Sequence, residues 1–165
     1  MWRIGNRLRN LAIALREPLN LSSSTFANTS EEDLQAHLQF LIEILQATKE
    51  SEGNARVVYP LLVKNTKYLN RNLAELLRLW ATNRLAEVKT VTQSIAVDLG
   101  NFSNLIQQFP LGDKASNMEI AIAGYEAMLT VFTRNAFPQQ WATVQNNLAI
   151  AYSDRILGDK ADNIE

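Results

Sequence analysis

The sequence predicts an all-α protein built as an antiparallel helical array, and three observations carry that prediction. Apolar residues recur at i, i+3, i+4 and i+7 through most of the chain, while strand-type alternation is almost absent. Glycine and proline are scarce, at six and four of 165 residues, and Leu and Ala dominate, a composition that favours helix. An octapeptide also recurs: GDKASNME begins at Gly112 and GDKADNIE begins at Gly158, identical at six of eight positions and 46 residues apart. Self-similarity at such a period marks a stacked helical array.

The chain is long enough for one domain or two small ones with a substantial core. A net charge of −1 gives no electrostatic footprint for nucleic acid. The absence of cysteine excludes disulfides, thiolate metal sites and a cysteine nucleophile. No apolar run approaches the roughly 20 residues that span a bilayer, and no secretory h-region is present. A cytoplasmic setting is expected.

Residues 1–30 form a basic amphipathic segment followed by a Ser-rich linker. Ile4, Leu8, Leu11, Ala12 and Leu15 share one helical face, Arg3, Arg7, Arg9 and Arg16 lie off it, and no acid precedes Glu17. The helix packs on its own domain, or it lies in a partner's groove, or residues 1–16 contact a membrane surface through the four arginines. The composition also fits a transit segment.

Residues 31–110 read as a helical leader domain. Thr29 with Glu32 fits a capping box, with Ser30 as a competing cap. Leu34, Leu38, Leu41, Ile42 and Leu45 then form a continuous face to about Glu50. Gly53 marks the break and Asn54 the next cap. Pro60 either kinks the following helix or lies in its first turn. Residues 65–72 hold the next turn or a second kink, and Leu69, Leu73, Leu76, Leu77 and Trp80 make the next face. A further helix, from about Thr90 to Phe109, carries Gly100 at its middle, which predicts close approach of another helix backbone. Pro110 ends it.

Residues 111–165 contain one helix pair and the start of another. Ser116 with Glu119, and Asp162 with Glu165, read as capping boxes that open each copy. The first helix carries Ile120, Ile122, Tyr125, Leu129 and Phe132. Phe137-Pro138 punctuates, and the next helix carries Trp141, Val144, Leu148, Ala151 and Tyr152. Its apolar face is expected to be covered by the leader domain, by a second chain or by further residues, so a homo-oligomer through this helix is one expectation.

These residues resemble the tetratricopeptide (TPR) repeat. Ala121, Tyr125 and Met128 fall on the small–aromatic–small pattern of that repeat's second helix, with Met128 departing from the usual alanine. Leu148, Ala149 and Tyr152 match the first-helix pattern. Phe137 to Glu165 is similar to a long variant of the repeat found in large cyanobacterial proteins, many of which carry a caspase-like CHAT domain. The stretch from Glu31 to Pro110 resembles the leader preceding those repeats, notably VVYPLL at 57–62 and NFSNLIQQFPLG at 101–112. The resemblance implies a TPR-like superhelix used as a scaffold for protein or peptide partners. It carries no protease over to this chain, which lacks the cysteine a caspase-like site needs.

No catalytic, cofactor or metal site is expected. His37, the sole histidine, lies at the edge of an apolar arc without companion ligands, so a structural role is expected. Glu31, Glu32 and Asp33 suit a helix N-terminus. The GDK tripeptides lack the glycine spacing of a phosphate loop. Gln145, Asn146 and Asn147 can offer side-chain amides to a peptide, and Asn146, Ile150, Ser153 and Asp154 share one face as the expected protein-binding stripe. The expected function is a non-enzymatic interaction scaffold; a membrane-peripheral protein anchored by residues 1–16 is the alternative, and the resemblance adds a third, less favoured reading as the regulatory N-terminal part of a CHAT-type protease.

Overall fold

The computed structural model describes residues 26, 28–87 and 89–162; the basic amphipathic segment, the Ser-rich linker as far as residue 25, and Glu165 of the second capping box lie outside them. Among the described residues the chain is all-helical, with no strand. The helices are α1 (Glu31–Glu50), α2 (Ala55–Lys64), α3 (Arg71–Glu87), α4 (Thr92–Gln108), α5 (Lys114–Leu129) and α6 (Pro138–Asp162), with 3-10 turns at Thr66–Tyr68 and Lys89–Val91.

Local chemistry sets the boundaries. Ser30, not Thr29, caps α1: its hydroxyl accepts from the Asp33 amide at 3.2 Å, and Glu31, Glu32 and Asp33 lie in the positively polarised first turn. α1 ends where Glu52 and Gly53 adopt left-handed backbone, φ 53° and 77°, and the Gly53 amide donates back to the Thr48 carbonyl at 2.8 Å. Asn54 caps α2 through the Arg56 amide. Pro60 sits inside α2, which continues to Lys64. α6 opens on Pro138, where a missing N–H costs nothing.

The repeat's opening is built differently from the capping box read in the sequence. Asp113, the D of GDK, is the N-cap of α5 and accepts from both the amide and the hydroxyl of Ser116. Gly112 supplies a left-handed φ of 81°, and the buried Asn117 reaches back to the Leu111 carbonyl at 2.8 Å. Ser116 thus braces the cap and does not provide it. The first five residues of the second copy, 158–162, lie within α6.

Buried apolar side chains form one cluster running from Phe26 to Ala151. α5 lies at its centre, packed on α3, α4 and α6. Its sequence has no polar stripe between Met118 and Tyr125, and that stretch is buried except at Glu119. A helix apolar nearly all round must be surrounded. Side-chain pairings fix the directions. Tyr125 meets Asn104 while Met128 lies against Gly100, so α4 and α5 are antiparallel. Glu126 meets Tyr152 and Glu119 meets Arg155, so α5 and α6 are antiparallel too. α4 and α6 therefore run the same way on either side of α5.

The close helix approach predicted at Gly100 occurs elsewhere. A Cβ on Gly100 would lie 2.5 Å from the Met128 sulfur, a flexible side-chain end. A Cβ on Gly124 would collide with the Ser103 hydroxyl and lie 3.2 Å from the Leu99 carbonyl oxygen. Gly124 is the position at which α4 and α5 backbones come together. Of the α6 face expected to need a further partner, Leu148 is buried in the core with Val144 and Ala151, while Trp141 and Tyr152 stay half-buried.

Candidate functional site

Because α4 and α6 flank α5 without packing closely on each other, a groove opens between them, about 330 Å³ in volume. α5 and the turn after it supply its floor: Tyr125, Met128 and Phe132. Val97, Gly100, Asn101 and Asn104 line it from α4, and Gln139, Gln140, Thr143, Val144 and Asn147 from α6. The polar groups are amides, one threonine and the Tyr125 phenol, and none of the described side chains that line the groove is charged at neutral pH.

The groove's base is a hydrogen-bonded network. The buried Tyr125 hydroxyl lies 2.6 Å from Asn104 Oδ1 and 2.7 Å from Gln107 Oε1. A phenol has one proton, so it cannot donate to both. Asn147 Nδ2 also donates to Asn104 Oδ1 at 3.3 Å. The consistent assignment has Tyr125 donating to Asn104 and accepting from the Gln107 amide in its flipped orientation. Asn104 then keeps its Nδ2 hydrogens for a ligand. Burial pushes the Tyr125 phenol above its ordinary range, so it stays a neutral donor.

The opposite flank of α5 carries the charges. Arg78 of α3 pairs with Glu126 and, at 3.9 Å, with Glu119. Arg155 of α6 pairs with Glu119 at 2.8 Å, and Tyr152 donates to Glu126 at 2.7 Å. α5 thus has an ionic side and an amide side. A second cavity, about 180 Å³, lies between α1, α3 and α4, with Trp80 in its wall and Lys49, Arg84 and Asp98 among its lining. Burial raises the Asp98 carboxyl above its usual value, and the Lys49 charge opposes that shift.

Of the residues expected to bind protein, Asn146, Ile150 and Ser153 are exposed and Asp154 half-buried on α6, and none lines the groove. Ile150 and Asp154 do lie within about 60° of Thr143 and Asn147 on a helix of 3.6 residues per turn, one and two turns beyond Asn147. Asn147, singled out with its two neighbours, is the residue the groove uses. Asn101, Asn104, Gln140 and Thr143 escaped the sequence reading. Their spacings, i and i+3 on both helices, were visible, but the pairing of α4 with α6 across α5 was not.

His37 is buried and structural. Its Nδ1 lies 2.7 Å from the Asp33 carbonyl and so donates, leaving Nε2 to accept from Asn70 at 3.0 Å. Trp80 and Trp141 are half-buried, and Arg134 stacks over the Trp141 ring at 5.5 Å. Among the described residues no group of three His, Asp or Glu is placed to hold a metal, and no helix is long and apolar enough to cross a membrane.

No family model, curated protein or solved structure matches this chain.

Proposed function

We propose that this chain is a non-enzymatic interaction scaffold that docks an extended segment of a partner protein in the groove between α4 and α6. The observation that supports this most directly is the lining itself: side-chain amides from two parallel helices face each other over an apolar floor. Amides both donate and accept, as a peptide backbone does, so they can pair with an extended chain in either direction. Concave surfaces of helical arrays are commonly used this way. The resemblance of Phe137 to Glu165 to the long TPR variant leads to the same reading. Under it, any caspase-like activity belongs to another protein or domain, with this chain as the interaction part of the system and the cytoplasm its setting.

Site-specific photo-crosslinking in the source cell tests the reading. A benzoylphenylalanine at Thr143 should give a discrete protein adduct, and one at the exposed Glu43 of α1 should not. A synthetic segment of the captured protein should then compete the adduct away. Equal adducts at both positions, or none at Thr143, would remove the groove from consideration.

A further inference from the structure

Resting on the docking reading above, we infer that the groove selects its partner by the absence of charge: it takes an extended, uncharged segment that places one apolar side chain on the floor. The electrostatics are one-sided. In a chain with 20% charged residues, none of the described side chains that line the groove is ionised at neutral pH. The acids nearest the groove along α5, Glu119 and Glu126, are committed to Arg78 and Arg155 on the other flank. An acidic or basic ligand side chain entering the groove would give up part of its water and find no counter-charge among the lining residues. Serine, threonine, asparagine and glutamine lose much less, because the amides replace their water.

The floor specifies the anchor. Val97, 47% exposed, and the half-buried Met128 offer apolar surface, with Phe132 and Val144 behind them. Met128 has three rotatable side-chain bonds, and its sulfur occupies the space a side chain on Gly100 would fill. It can therefore shift to fit leucine, methionine or phenylalanine. Asn101, Asn104, Gln140 and Asn147 flank that position from both walls and are placed to bond the ligand backbone on either side of the anchor.

The test uses the full chain, isotope-labelled, and three end-capped nonapeptides. One is neutral, with a central leucine among serine, asparagine and glutamine; the others carry aspartate or lysine on both sides of the leucine. The neutral peptide is expected to shift the side-chain amide resonances of Asn101, Asn104 and Asn147, and each charged peptide to bind at least about tenfold more weakly. Gln140→Lys, at an exposed position, is expected to restore binding of the aspartate peptide selectively. If a charged peptide binds these same residues as tightly as the neutral one, charge exclusion is wrong and the docking reading survives. If no peptide binds, or the shifts map elsewhere, both fall. If the same resonances shift on raising protein concentration alone, the occupant is a second copy of this chain and the inference fails.

Discussion

At the scale of single residues, two glycines that look alike in the sequence carry opposite consequences. Both lie inside helices, where alanine is intrinsically better by about 1 kcal/mol. At Gly100 the obstacle to a Cβ is the end of Met128, which can swing aside. Gly100→Ala is therefore expected to leave stability within about 1 kcal/mol of wild type. At Gly124 the obstacles are the Ser103 hydroxyl and the Leu99 carbonyl, and a carbonyl in a helix does not move alone. Gly124→Ala is expected to cost about 2–3 kcal/mol in urea unfolding. Ser103 adds a check, because its buried hydroxyl has no hydrogen-bond partner among the described residues. Ser103→Ala should be neutral or stabilising, and combined with Gly124→Ala it should recover part of the loss. If Gly124→Ala proves harmless, the close approach of α4 and α5 is wrong.

At the scale of elements, the octapeptide that announced the array also defines how α5 begins. Gly112 turns the chain through a left-handed φ, Asp113 caps the helix, and Asn117 closes the turn on the Leu111 carbonyl. These are three of the six positions that both copies share. Asp113→Ala removes the cap and is expected to cost about 1 kcal/mol. Gly112→Ala forces a side chain into left-handed backbone and should cost about 1–2 kcal/mol. Chemical denaturation of the two variants checks both, and an unchanged midpoint for either would contradict its assigned role. The helices, their order and most of their ends were legible in the sequence, because periodicity and capping are local. Two competing signals misled it: S-x-x-E at Ser116 obscured the true cap three residues earlier, and Thr29 competed with Ser30. The groove was legible only in part. Asn147 stood out within its own helix, but Asn101 and Asn104 lie more than forty residues away, and no local pattern tells that α5 will hold their helix beside α6.

At the scale of the whole molecule, α5 is the shared partner, and α6 reaches the rest of the chain mainly through it. An apolar seam of Val144, Leu148 and Ala151 holds α6 from beneath. The ionic flank holds it from the side, through Arg155 to Glu119 and Tyr152 to Glu126. Glu126 serves two helices at once, since it also binds Arg78 of α3. Glu126→Ala removes both attachments while leaving the seam intact. Because these groups are partly exposed, the loss should be modest, about 1 kcal/mol. Hydrogen exchange should read it as faster opening of α6, by several-fold, with α1 amides unchanged. High salt should narrow the difference by screening the wild-type pairs. The pH dependence supplies a sharper signature. The hydrogen bond to Glu126, then burial, then the Glu126 charge raise the Tyr152 phenol above its ordinary 10.0, while Arg155 and Arg78 pull it down. A phenol that holds its proton more tightly when folded gives up stability as pH rises past the unfolded value. Wild-type α6 should therefore loosen as pH climbs above 10.0. Tyr125 contributes in the same direction in both proteins, so the difference between wild type and Glu126→Ala isolates Tyr152. That difference should shrink as pH rises. A gap that stays constant from pH 7 to pH 11 would mean that Glu126 does not bind Tyr152 in solution, and that the apolar seam and the Arg155–Glu119 pair dock α6 without it.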